Sequence, residues 1–254
     1  MNSDQNPITI FFSQFAQKIN NSNGTLRVIE HILKLGSNPE NIKKYFNGSI
    51  VIISDISDVK NNVFHKLYPI DKTYYVDESL LQNEIKMLIE QANGYAIANS
   101  FESFYSFLKK VSRTVIGEPI PEHFTNWKPK DHFKMLKEKL PELEQIMESN
   151  IRGDFDQYFK VLKFFRDKQT HSNGRFENDD KEYKKFNEVE RDILNNLFPH
   201  YKNEEHLNIF MIDLELAARH FKWMAEFAFI FYKTASKYLN YDVKIESYLS
   251  TPPN

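Results

Sequence analysis

The segment from residue 154 to residue 175 carries the side chains best suited to chemistry in this chain of 254 residues. Arg166 and His171 are separated by four residues, and Asp167 directly follows the arginine. A histidine exchanges protons near neutral pH because its ordinary pKa is about 6.5. An arginine offers a planar set of donors that stabilises negative charge on phosphoryl oxygens. These residue types indicate proton transfer beside a developing anion.

Arg166 falls on the apolar face of the helix that we predict over 154–171. Phe155, Phe159 and Leu162 share that face, and Arg166 follows Leu162 by four residues. A charged side chain in such a position costs free energy unless it is paired or opens onto a cleft. Arg166 therefore departs from the rule that this face of the helix carries apolar residues, and the departure needs a reason.

Two interpretations of Arg166 stay open from the sequence. In the functional one, the arginine lines a cleft and acts on a substrate. In the structural one, it is paired with a buried carboxylate. The candidate partners are Glu102, Asp213 and Glu215.

The orientation of His171 is open as well. In an unbroken helix it points about 140° away from Arg166, since each residue turns the helix by about 100°. Asn173 and Gly174 predict a helix stop, where the backbone can re-aim His171. Alternatively, Arg166 and His171 from two subunits complete each other's site. In a third interpretation, the helix dipole favours a charged His171 and the residue has no further task.

The composition excludes several kinds of functional site. The chain has no cysteine, which excludes disulfides, thiolate metal sites and cysteine nucleophiles. No set of histidines shows metal-ligand spacing, so we predict neither a metal nor a cofactor. The formal net charge is -2, so nucleic-acid binding would need a local basic patch. The candidate patch is Lys160, Lys163, Arg166, Lys168 and Arg175.

The pattern of the whole chain predicts a mainly all-α fold with a small N-terminal α/β extension. Strands are predicted at 49–55 and 73–76. Helices are predicted at 8–20, 25–35, 79–92, 97–116, 129–148, 154–171, 179–197 and 206–241. A composition shift divides a mixed α/β segment, 1–95, which we interpret as a sensing or docking element, from a helical bundle, 96–245, and a tail, 246–254.

The last predicted helix bears on assembly. Apolar residues run along two of its sides, with Leu214 and Phe221 on one and Trp223 and Phe227 on the other. Such a helix is either central in its bundle or shared with another subunit, so a homodimer is expected. No uninterrupted apolar run approaches about 18 residues, and we expect no membrane partner. A cytoplasmic location is expected, in keeping with the absence of cysteine.

The segment from Phe164 to Gly174, with Arg166, Asp167 and His171, resembles the Arg-x4–6-His signature of HEPN-domain proteins. The resemblance covers roughly residues 95–245. It implies a HEPN-like helical bundle and metal-independent RNA cleavage by a homodimer, with the two motifs facing one cleft.

The resemblance also implies roles for individual residues. His171 is the base that activates an RNA 2′-OH, Arg166 stabilises the growing charge, and Asp167 orients one of them or tunes the histidine. The residues expected to contact RNA are Lys168, Thr170, Asn173 and Arg175. The expected role is a toxin or antiviral defence effector, with an antitoxin or another defence-system protein as partner. The alternatives are a non-catalytic HEPN-like module that dimerises and binds a partner protein, RNA or nucleotide, and a helical scaffold without a ligand.

Overall fold

A computed structural model of the chain describes residues 6–36, 78–143, 146, 155–172, 174–199, 201–204 and 207–243. The helices are α1 (Pro7–Gly36), α2 (Glu78–Ile116), α3 (Pro129–Lys139), α4 (Phe155–Ser172), α5 (Glu188–Leu197) and α6 (Leu214–Tyr238). Short 3₁₀ turns lie at Phe124–Asn126 and Tyr183–Lys185. The mainly all-α prediction is confirmed. The strands predicted at 49–55 and 73–76 and the tail, 246–254, lie outside the described residues.

Two pairs of predicted helices are continuous. Segments 8–20 and 25–35 both belong to α1, while 79–92 and 97–116 both belong to α2. Gly94, which predicted a break, lies inside α2 because its missing side chain makes room for a neighbour. A Cβ at this position would lie 2.6 Å from the side-chain amide of Gln169 in α4.

Other predicted helices begin late or end early. α3 ends at Lys139, because Pro141 disfavours the helical conformation of Leu140 before it, and residues 141–143 and 146 are helical again. The helix predicted at 129–148 is thus interrupted. α5 begins at Glu188, where the Asn187 side chain accepts a hydrogen bond from Glu190 N.

A three-stranded antiparallel sheet occupies part of the segment that was predicted as helix. Its strands are β1 (Arg175–Glu177), β2 (Tyr201–Glu204) and β3 (Leu207–Phe210), in the order β1-β3-β2. The prediction of a helix from residue 206 is wrong at its start, because β3 alternates half-buried and buried positions along the chain. α6 begins only after Asp213, whose Oδ1 accepts a hydrogen bond from Leu216 N at 2.7 Å.

The described residues fall into two compact units. Residues 6–26 and 90–243 belong to the larger, and residues 27–36 and 78–89 to the smaller. This division differs from the predicted boundary at residue 95, since the first part of α1 packs with the later helices. Asn6 donates to Ser236 Oγ at 2.8 Å, and Phe12 stacks on Tyr232 at a centroid distance of 5.0 Å.

Phenylalanine rings dominate the core of the larger unit. Phe104 of α2 lies 6.3 Å from Phe155 and 6.1 Å from Phe159, both on α4, between ring centroids. It also lies 6.2 Å from Phe231 of α6 and 5.9 Å from Phe15 of α1. Four helices therefore share one core, and burial of such rings stabilises each contact. Among the described helices, none combines the length and the apolar run that a membrane crossing needs.

Candidate functional site

The predicted site lies on α4, which aromatic packing holds on two sides. Phe155 and Phe159 pack into the core described above. Phe164 meets Phe186 edge to face at 5.1 Å, and Phe165 stacks on Phe198 at 4.3 Å. Because these rings are almost fully buried, they fix the helix that presents Arg166, Asp167 and His171.

Arg166 is paired with two carboxylates. Its Nε lies 2.9 Å from Glu102 Oε1 of α2, and its Nη1 lies 2.8 Å from Asp167 Oδ1. The Nε contact is an ion pair outside hydrogen-bond geometry. The Arg166 side chain is 26% exposed and that of Glu102 is 48% exposed, so this pair sits at the rim of the core. Arg166 is therefore both tethered and reachable from solvent.

The other two carboxylates considered for Arg166 have different partners. Asp213 caps α6 through Leu216 N. Glu215 lies 3.6 Å from Arg219, one turn along α6. The partner from another helix is Glu102, and it is not the buried carboxylate that the structural interpretation required.

Asp167 holds the arginine in place. One of its oxygens contacts Arg166, and the other accepts a hydrogen bond from Lys163 Nζ at 2.5 Å. The sequence left open whether Asp167 orients Arg166 or His171. Its contacts are with Arg166 and Lys163, which favours an orienting role toward Arg166.

His171 is exposed and lies inside α4, which continues to Ser172. His171 lies in the last turn, as the helix stop predicted, and the backbone is still helical there, so it does not re-aim the side chain. Five residues of helix separate His171 from Arg166 by about 7.5 Å along the axis and about 140° around it. One chain does not bring the two side chains to one point. Whether two subunits do so stays a prediction.

The C-terminal end of α4 is tied to the sheet. Gly174 has a φ of 77°, and its N–H donates to Lys168 O at 3.0 Å, as in a glycine-terminated helix. The carbonyl of Gly174 accepts from Phe210 N at 3.0 Å. The buried Gln169 side chain packs between Gly94 and Gly174, and a Cβ at Gly174 would meet its Oε1 at 2.8 Å. The contacts of Gln169 and Gly174 thus fix the helical turn that carries His171.

The residues predicted to contact RNA have different surroundings. Lys168 Nζ contacts Asp180 Oδ2 at 2.5 Å, with only 17% of the lysine side chain exposed. The Thr170 hydroxyl donates to Arg166 O at 2.9 Å. Arg175 is exposed at the start of β1. Asn173 lies outside the described residues.

The predicted basic patch is largely neutralised. Lys160 contacts Glu190 at 2.6 Å, Lys163 contacts Asp167, and Lys168 contacts Asp180. The partners Glu190 and Asp180 follow α4 in the chain and fold back onto it. Lys163 is paired within α4, whereas Lys160 and Lys168 are paired with carboxylates from later segments, which the spacing of α4 did not reveal.

Two histidines, His132 and His220, are buried. His220 of α6 stacks on Phe198 at 4.8 Å, and its Nε2 donates to Leu197 O at 3.0 Å. Burial lowers the pKa of His220 to about 4, against the opposing effect of the Leu197 carbonyl. His132 of α3 was missed; its spacing of four from the buried Leu136 is the signal that marks it as internal.

Within the described ranges, no three histidine, aspartate or glutamate side chains gather as a metal site would require. Comparison of the chain with protein-family models, curated proteins and solved structures finds no match.

Proposed function

We propose that the chain is a metal-independent endoribonuclease that acts as a homodimer, with Arg166 and His171 as catalytic residues. The observation that carries the proposal is that Arg166 is held by two carboxylates and is still partly exposed to solvent. Glu102 and Asp167 position its guanidinium, yet the side chain still reaches solvent on the helix that bears the exposed His171. A preorganised cation and an exposed imidazole suit phosphoryl transfer once a dimer brings them together.

The proposed reaction is attack of an RNA 2′-OH on its own phosphodiester. His171 takes the proton from the 2′-OH, and the 2′ oxygen forms a bond to phosphorus. The bond from phosphorus to the 5′ oxygen breaks, and that oxygen takes up a proton from an imidazolium or from water. Arg166 stabilises the charge on the non-bridging oxygens. The products are a 2′,3′-cyclic phosphate and a 5′-OH, and DNA does not react because it lacks the 2′-OH.

The homodimer is part of the proposal because of the helix geometry. Arg166 and His171 of one chain point away from each other, as the continuous α4 requires. A two-fold axis can bring the arginine of one protomer to the histidine of the other. The proposed role of such an enzyme is that of a toxin or antiviral defence effector.

The direct experiment is incubation of labelled RNA with the wild-type chain in EDTA. Cleavage to products that end in a cyclic phosphate is expected, and His171→Ala is expected to lose about 10²–10⁴-fold in rate. His31→Ala is the matched control, since His31 is exposed on α1. Cleavage that needs Mg²⁺, or that His171→Ala leaves unchanged, contradicts the proposal.

The neutralised lysines favour a second candidate, a non-catalytic helical module that binds a protein partner. Lys160, Lys163 and Lys168 each have a carboxylate neighbour, which leaves little net charge for phosphates. Fluorescence anisotropy with labelled single-stranded RNA at low and high salt separates the two. Salt-sensitive binding supports the ribonuclease, whereas absence of binding at both salt concentrations supports the module.

A further inference from the structure

His132, near the start of α3, is fully buried at 0% exposure, and neither ring nitrogen has a partner in hydrogen-bond geometry. Three aromatic rings enclose it edge to face. The centroid distances are 5.9 Å to Tyr105 of α2, 5.1 Å to Phe124 and 5.3 Å to Trp127. Buried polar atoms without partners are rare, because each costs free energy of desolvation. This imidazole therefore needs a reason that packing alone does not give.

Two of the three rings belong to one short segment, residues 117–128, which we call the covering segment. It connects α2 to α3 and contains the 3₁₀ turn Phe124–Asn126. The Tyr105 hydroxyl donates to Trp127 O at 2.8 Å and so joins the segment to α2. Phe124 and Trp127 are half-buried, and their centroids lie 5.0 Å apart. The covering segment thus closes over His132 through two rings and one hydrogen bond.

The two acceptors nearest to His132 in the chain already take part in other hydrogen bonds. Trp127 O already accepts from Tyr105, and Asp131 Oδ2 accepts from Lys128 N at 2.8 Å. The Lys109 ammonium lies 4.3 Å from the Tyr105 ring centroid, on the same side of α2. The covering segment meets the imidazole with uncharged rings.

The charges around the ring act in both directions. Burial lowers the pKa of His132 to about 4, and Lys109 adds to the lowering, while Asp131 and the backbone of Trp127 oppose it. The neutral imidazole is therefore the form that the closed segment accommodates, and an imidazolium is better hydrated once the segment has opened.

We propose that the covering segment is an acid-released latch, in which protonation of His132 frees residues 117–128 from α2 and α3 and exposes Trp127. Because the pKa is lower in the closed form than the ordinary 6.5, the closed form is favoured above pH 6.5 and loses that advantage as the pH falls to about 4. The ratio of open to closed molecules rises on the order of 10²-fold over that range.

The latch borders the Arg166 pair but does not depend on it. Tyr105 lies three residues after Glu102 on α2, so the two share a helix face. Glu102 also raises the pKa of Tyr105, after the larger effect of burial. Opening of the latch changes the surroundings of the carboxylate that holds Arg166. The test below measures conformation alone and stands whether or not the chain cleaves RNA.

The experiment follows the fluorescence of Trp127. The chain has two tryptophans, so Trp223→Phe leaves Trp127 as the reporter. We expect its emission to shift to the red between pH 6.5 and about 4 while far-UV circular dichroism stays constant. Adding His132→Phe should abolish the shift, since the ring remains without a titrating group. Adding His220→Phe, the matched control at the other buried histidine, should leave it in place.

Two further measurements keep the proposal testable if a ring substitution fails to fold. Tyr105→Phe removes the hydrogen bond to Trp127 O and should move the transition to higher pH. Hydrogen exchange of the unmodified chain, corrected for the intrinsic effect of pH, should show residues 117–128 losing protection on acidification before α4 does. Constant Trp127 emission down to pH 4, a transition that survives His132→Phe, or simultaneous loss of helical signal would overturn the latch.

Discussion

The two sides of α4 are held by different interactions. On the apolar side, Phe165 is fully buried and stacks on Phe198. On the polar side, Asp167 is shared by Lys163 and by Arg166, which lies at the edge of the apolar face. The apolar side stabilises the helix through ring burial, whereas the polar side consists of ion pairs that solvent reaches. Stability and chemistry are therefore expected to separate: substitutions on one side unfold the chain, and substitutions on the other change what it does.

The largest effect on stability is expected from Phe165→Ala. The ring lies 4.3 Å from Phe198 and 5.0 Å from Phe210 between centroids, so its loss leaves a cavity in the core. We expect a loss of about 3–5 kcal/mol in the free energy of unfolding, measured by urea titration. Phe165→Leu is the control and should cost less, because it fills part of the cavity. A loss below about 1 kcal/mol for the alanine variant would contradict the assigned role of the apolar side.

The next effect comes from pH and involves the same stack of rings. Phe198 lies between Phe165 and His220, and the pKa of His220 is lowered to about 4. The folded state prefers the neutral ring, so this stabilisation is complete above pH 6.5 and disappears as the pH falls to about 4. The contribution between pH 7 and pH 4 is about 3 kcal/mol.

Urea unfolding across that pH range measures the contribution of His220. His132 acts in the same direction, so the informative quantity is the difference in pH dependence between wild type and His220→Phe. The variant should lose stability less steeply on acidification. Equal slopes for the two proteins would mean that His220 takes up its proton without disturbing the fold.

Arg166→Ala is expected to have a small effect on stability. Its partner Glu102 is about half exposed, so it stays hydrated when the arginine is removed. We expect a loss of about 1 kcal/mol or less, as for other surface ion pairs. A loss of about 3–5 kcal/mol would instead identify a buried structural pair. Under the proposed function the same variant loses about 10²–10³-fold in cleavage rate.

The smallest effect on stability belongs to His171→Ala. The side chain is exposed in the last turn of α4, and substitutions at such positions stay within about 0.5 kcal/mol. A melting temperature equal to that of wild type, measured beside the loss of cleavage described above, would show that His171 serves activity alone. A strongly destabilised His171→Ala protein would place it among the structural residues.

Local spacing predicted the apolar side of α4 well. The buried Phe155, Phe159 and Leu162 lie on the face that the sequence indicated. Both ends of α4 lie within one residue of the predicted bounds, 154–171. Local spacing could not choose the ion-pair partners that come from other segments of the chain. Glu102 is 64 positions before Arg166, and nothing local chooses it over Asp213 or Glu215.

The misassigned elements share a physical cause. Gly94 looks like a helix stop in the sequence, but it serves the close approach of Gln169, which only tertiary packing reveals. β3 is a four-residue segment with three apolar residues, and it ends three residues before α6. Such a short segment fits either a strand or a helix until its partners β1 and β2 are known.

The central claim is that Arg166 of one protomer acts with His171 of the other, and mixing two inactive variants tests it directly. In a mixed dimer of Arg166→Ala and His171→Ala, one composite site keeps both residues and the other loses both. Random exchange makes about half of the dimers mixed, so about a quarter of the wild-type cleavage rate should return. A mixture as inactive as either variant alone, with subunit exchange shown by differently labelled protomers, would contradict the account.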